Sequence, residues 1–149
     1  MRHLIPSILT IFSLFHAISF ANAEDISEKN FSIEAIESAE EPDINGTQCS
    51  FTRKSSSKNI ILGNGVDKMW MKINGHLIEL TGKQTEMEEA LLLQKNRIWR
   101  QTFKGSDIIL RINFSLAKGG EDTAEIKGII KIQNGKQVKE FKVEGGCAS

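Results

Sequence analysis

The chain has 149 residues, with 19 Lys and Arg balancing 19 Asp and Glu, two cysteines, three histidines and no tyrosine. That length supports one domain with a real core and not two. The overall neutrality and the shortage of histidine and cysteine argue against a nucleic-acid binder and against a bound metal or other cofactor.

Met1, Arg2 and His3 precede an apolar stretch over 4–20, and Ala21-Asn22-Ala23 gives the small-x-small pattern of a signal-peptidase site. This reads as an export signal cleaved after Ala23. The alternative is an uncleaved anchor helix. No later apolar run approaches the roughly 20 residues that span a bilayer, so the expected product is periplasmic or secreted, with no membrane span after cleavage. No cysteine adjoins the site to take a lipid anchor.

Charge is distributed unevenly in the remainder. Glu24, Asp25, Glu28, Glu34, Glu37, Glu40, Glu41 and Asp43 face only Lys29 in the first stretch, and the chain beyond it is basic. A run of like charge suggests a solvated, disordered leader, which divides the chain into a signal at 1–23, an acidic leader at 24–46 and a domain at 47–149. The other reading is a tail that folds back and shields the basic body. The lysines of that body are spread along alternating strands and are not gathered in one stripe.

From residue 47 onward the pattern is period two, punctuated by turn residues. Strands are expected at 47–53, 59–63, 66–73, 76–81 and 97–103. Asn74-Gly75 is a two-residue hairpin signal, and folding about it pairs Ile73 with His76, Met71 with Ile78 and Met69 with Leu80. Trp70 and Leu77 then fall on the face that should be wet. Residues 85–94, TEMEEALLLQ, favour one short helix, with a strand leading into Arg97 as the alternative. Its leucines could cover Trp70; otherwise Trp70 and Leu77 form an exposed spot for a partner.

Ile108, Leu110, Ile112, Phe114 and Leu116 alternate with Ile109, Arg111, Asn113 and Ser115, which describes a half-buried strand. Setting Phe114 opposite Ile126 aligns three further pairs, including Leu110 with Ile130. A last strand at 137–143 follows Asn134-Gly135, where Val138 is out of phase with Phe141 and Val143 and calls for a bulge. The fold class is therefore all-β: about eight short strands in an antiparallel meander, with one short helix, closing as a small barrel or folding into a two-layer sandwich. In an oxidising compartment Cys49 and Cys147 form one disulfide, and closure would bring the first and last strands together. That favours the barrel.

Chemistry is sparse. A Ser-His-Asp arrangement would need His76, which falls on the apolar face beside a tight turn and reads as a structural histidine. Glu86, Glu88 and Glu89 could supply paired carboxylates, but they lie in a polar stretch where nothing separates their pKa values. No glycine loop precedes a helix to hold phosphate. The reading is no enzyme, no cofactor and no metal.

MKINGHLIEL, ending at Leu80, is followed by IWRQTFKGSDIIL over 98–110. Together they resemble the bacterial periplasmic inhibitors of c-type lysozyme, the MliC-like family. The resemblance implies a small antiparallel β-barrel with an early cysteine paired to a late one, and Cys49, Trp99, Lys104, Gly105 and Cys147 match in order. It departs at the family's inhibitory Ser-Gly-Tyr loop, where this chain reads GKQTEMEEA, at Phe103, which interrupts the Thr-Lys-Gly run, and in an additional hairpin over 124–143. It thus bears on fold more than on activity. The expectation is an exported binding module with a protein partner in the cell envelope, or alternatively an inhibitor of a cell-wall hydrolase such as c-type lysozyme. Candidate contacts are Lys104, Gly105 and Ser106, in the turn that Asp107 completes, together with Trp70 and Leu77.

Overall fold

The Asn74-Gly75 turn is built as its sequence requires. In the computed structural model, which describes residues 30–83, 98–119 and 123–148, both residues are left-handed, with φ of 50° and 80°, the signature of a type I′ hairpin. Nine strands occur among the described residues: β1 (Ile33–Glu34), β2 (Gln48–Arg53), β3 (Asn59–Gly63), β4 (Lys68–Ile73), β5 (His76–Thr81), β6 (Trp99–Gly105), β7 (Ile108–Gly119), β8 (Thr123–Asn134) and β9 (Gln137–Ala148). A 3-10 turn at Ser38–Glu40 follows β1. The expected short helix at 85–94 lies outside the described residues.

Strands β2 to β9 each pair antiparallel with the next, and β9 returns to pair with β2, so the meander closes as an eight-stranded barrel. The ninth strand, β1, adds to β4 beyond the end of β3, through Ile33↔Ile73 and Glu34↔Lys72. Closure abolishes the free edges that an open sheet would expose. The β2–β9 ladder runs from Gln48↔Ala148 to Arg53↔Val143. Within it Cys49 and Cys147 are direct partners and form a disulfide. The β5–β6 seam is much slighter, with Thr81↔Lys104 as its one registered pair.

Period-two alternation decides what lies inside. Phe51, Met69, Met71, Leu80, Phe103, Leu110, Ile112, Phe114, Ile126, Ile130 and Ile132 fill the interior, and no polar or charged side chain is buried among the described residues. The Phe114 ring is at the centre, 4.6 Å from Phe51 and 6.1 Å from Trp99 between centroids. Gly128 lies opposite it, where a Cβ would collide with the Phe114 ring.

That contact corrects the expected register of β7 and β8. Phe114 faces Gly128 and not Ile126, and Leu116 takes Ile126, a slip of two residues that keeps every side chain on its expected face. Volume is the reason: an aromatic ring beside a glycine fills the space that two large side chains would overfill. A one-residue bulge follows between Leu116 and Lys118. The bulge expected near Val138 is absent, because β8 and β9 pair without interruption and Val138 points outward, 48% exposed.

The acidic stretch also differs from the expected leader over residues 30–46. Phe31 is buried in the core cluster, its amide donates to Gln137 Oε1 at 3.1 Å, and Lys139 lies 4.9 Å over its ring. Phe31 therefore closes the barrel end that carries the Asn74-Gly75 and Asn134-Gly135 turns. Apolar burial at Phe31 and Ile36 offsets the ordering entropy that a purely acidic run could not.

The disulfide joins residues 98 apart in sequence, so its loss should free a large loop in the unfolded chain. Replacing Cys49 and Cys147 together with alanine should lower stability by about 2–5 kcal/mol in urea unfolding. The oxidised protein should weigh two hydrogens less than the reduced one by intact mass.

Candidate functional site

The outside of the barrel has two faces of different character. On the β3–β4–β5 side, Trp70 stands on β4 between Lys68 and Lys72, opposite Leu62 and Glu79. Trp70 is 8% exposed and Leu62 is fully buried, and with Ile36 they are the buried apolar side chains that lie outside the interior cluster. Trp70 is thus packed and is not presented to a partner. The leucines of 85–94 that could have covered it lie outside the described residues.

What runs along this face is the chain's own acidic segment. The Ile36 amide donates to the Asn59 carbonyl at 2.9 Å, Glu37 meets Lys58 at 2.9 Å, and Glu40 meets Lys72 at 2.6 Å. Lys68 on the other side of Trp70 meets Glu79 at 2.9 Å. Ion pairs thus flank Trp70 on its own strand, at Lys68 and Lys72, and tie the acidic segment to Lys58 and Lys72. The hydrogen bond from Lys72, then that from the Glu37 amide, holds the Glu40 carboxyl below its ordinary pKa, and the bond to Glu40 raises Lys72.

The β6–β9 side has the opposite character. Strand parity places Arg100, Thr102 and Lys104 of β6, Ile109, Arg111 and Asn113 of β7, Lys127, Ile129, Lys131 and Gln133 of β8, and Val138, Glu140, Lys142 and Glu144 of β9 on one surface. Six of these are exposed cations, against two acids, and none of the six forms an ion pair among the described residues. Arg111 is directly opposite Lys131, an arrangement that sheets ordinarily avoid. Ile98, Ile129 and Val138, three of the four large apolar side chains that are exposed among the described residues, are on or beside this surface. A groove of about 390 Å³ runs between Ile98 and Ile129, rimmed by Arg100, Lys127 and Lys142.

Lys104 is exposed at one corner of this surface. Gly105 pairs with Ile108 across Ser106 and Asp107, with Ser106 left-handed at φ 48°. Phe103 and Ile108, both buried, anchor the turn. A Cβ on Gly105 would collide with the Glu79 carbonyl, so glycine here lets β6 approach β5. Leu77, 37% exposed, is separate, on β5 opposite Lys72. His76 takes its expected pairing with Ile73, but at the strand's end beside the turn its side chain is exposed and not covered. Sequence reading missed Arg100, Arg111, Lys127, Lys131 and Lys142 as a group; counting outward positions over four adjacent strands would have found them.

Two outcomes follow for the Trp70 face. Trp70→Ala should cost about 3–5 kcal/mol, read by thermal or urea unfolding. A depressed Glu40 pKa contributes stability above the ordinary carboxylate value that is lost as pH falls through the folded one, and a raised Lys72 contributes stability that is lost as pH rises through its folded value. Hydrogen-exchange protection at the Ile36 amide should therefore drop on acidification below the carboxylate range, and Lys72→Ala should weaken that dependence, leaving the part due to the Glu37 amide. Comparison of the chain with family models, with curated proteins and with solved structures found no match in any of the three.

Proposed function

We propose that this chain is an exported, non-enzymatic binding module that meets its partner on the outer surface of β6–β9. The observation that carries the reading is the cation-rich surface itself. Glu140 and Glu144 stand opposite Lys131 and Lys127, yet four positive charges remain in excess, Arg111 faces Lys131 on the other side, and a net positive field on rigid strands steers an anionic partner. Export rests on the N-terminal signal pattern and agrees with the buried disulfide, since such bonds persist in oxidising compartments. Affinity capture from the native cell envelope, with the mature chain as bait, tests this reading. Wild type should retain a partner that the Arg111→Glu, Lys131→Glu variant loses, while both unfold at similar denaturant concentrations. Equal retention by both would place binding elsewhere.

A second reading draws on the Lys104 turn. Lys104 is exposed beside a tight turn whose two ends are anchored by buried side chains, as a cation on a rigid projection would be when it enters a cleft built around two carboxylates. That fits the MliC-like resemblance and the role of a c-type lysozyme inhibitor. Micromolar protein should then slow lysozyme turnover, and Lys104→Ala should weaken inhibition about tenfold or more. Absence of inhibition ends this reading and leaves the first intact.

A further inference from the structure

The groove between Ile98 and Ile129 is more specific than a positive patch. The row through its centre reads Arg100, Asn113, Ile129, Lys142 across four strands, and Lys127 of the next row is opposite Glu144. Neighbouring strands are about 4.8 Å apart and successive outward residues about 6.8 Å, so cations stand within about 10–15 Å of each other around an apolar floor. A ligand that satisfies this groove carries an apolar anchor with separate negative charges on either side of it.

The same molecule already binds a ligand of that description on its other face. In the acidic segment, Ile36 is buried, the adjacent Glu37 meets Lys58, and Glu40 meets Lys72. The pattern is one apolar anchor followed by carboxylates that take a lysine just before β3 and one within β4. Resting on the binding-module reading above, we infer that the β6–β9 groove docks an acidic polypeptide segment of a partner protein, anchored by an aliphatic side chain between Ile98 and Ile129 with carboxylates on Arg100, Lys127 and Lys142.

Two features favour a polypeptide over a lipid surface. Glu140 and Glu144 share the face with its cations, and a uniformly anionic bilayer would be repelled at those points where a discrete carboxylate pattern avoids them. No tryptophan or phenylalanine is among the exposed large apolar side chains of the described residues, whereas interfacial binding commonly uses such rings.

The test uses the disulfide-intact protein, isotope-labelled, and a synthetic peptide with the sequence of residues 33–43, IEAIESAEEPD. Amide shifts should move at Ile98, Arg100, Asn113, Ile129 and Lys142. Affinity should fall about fivefold or more from low to physiological salt. The Arg100→Glu, Lys142→Glu variant should weaken binding about tenfold or more, as should Ile129→Ser, with native spectra retained. Three results overturn the inference: no shift at millimolar peptide, equal binding of the peptide with every Glu and Asp replaced by its amide, or shifts confined to the Lys58 and Lys72 face. Binding of phosphatidylglycerol vesicles without binding of peptide assigns the groove to lipid and overturns it too, as does self-association abolished by the double variant without peptide binding. If the peptide fails while Arg111→Glu, Lys131→Glu still loses the captured partner, the binding module stands and the acidic segment falls.

Discussion

The pairing of the first and last barrel strands is the constraint on which the rest depends. An eight-stranded meander has two ends that must find each other across almost the whole domain, and the chain loses loop entropy when they do. Cys49 and Cys147 sit directly opposite one another in the β2–β9 ladder, so the covalent link and the hydrogen-bonded ladder enforce the same register. Gly145 belongs to the same seam: a Cβ there would collide with the Ser50 carbonyl, and the Phe51 ring lies beside it. Glycine at that point lets the two strands meet with an aromatic ring folded over the joint. Phe51 in turn contacts Phe114, which contacts Trp99, so an aromatic chain runs inward from the closure.

Closure also separates the inside from the outside completely. With no charged side chain buried among the described residues, the outward rows can vary without disturbing the core. The two outer faces use that freedom differently. Beside Trp70 the lysines are matched by carboxylates from the chain's own acidic segment and from Glu79. On β6–β9 they are not.

Much of this was legible in the sequence. The Asn74-Gly75 hairpin, its three inward pairs, the bounds of β3 and β5, and closure through the two cysteines follow from turn chemistry and period-two alternation. The β7–β8 register was not, because alternation is unchanged by a slip of two, and only the volume of Phe114 against Gly128 distinguishes the choices. Residues 30–46 were obscured by their charge. Composition weighs the eight acids of 24–45, five of them within 30–46, and reads disorder, but Phe31, Ile33 and Ile36 are spaced among these, and two of the three are buried. The misplaced tryptophan was the visible sign that something had to cover that face.

The acidic segment is joined to the barrel by Phe31 in the core, by the β1–β4 pairing and by the Ile36 amide on Asn59. Surface ion pairs such as Glu37 with Lys58, both well exposed, contribute little on their own and weaken with salt. Burial of Trp70, Leu62 and Ile36 has no such weakness, since apolar contact is insensitive to modest ionic strength. The carboxylates therefore help place the segment beside β3 and β4, and burial of Phe31 in the core supplies its hold. The proposed docking of an acidic segment between Ile98 and Ile129 would divide the labour in the same way, with charge selecting the segment and aliphatic contact retaining it.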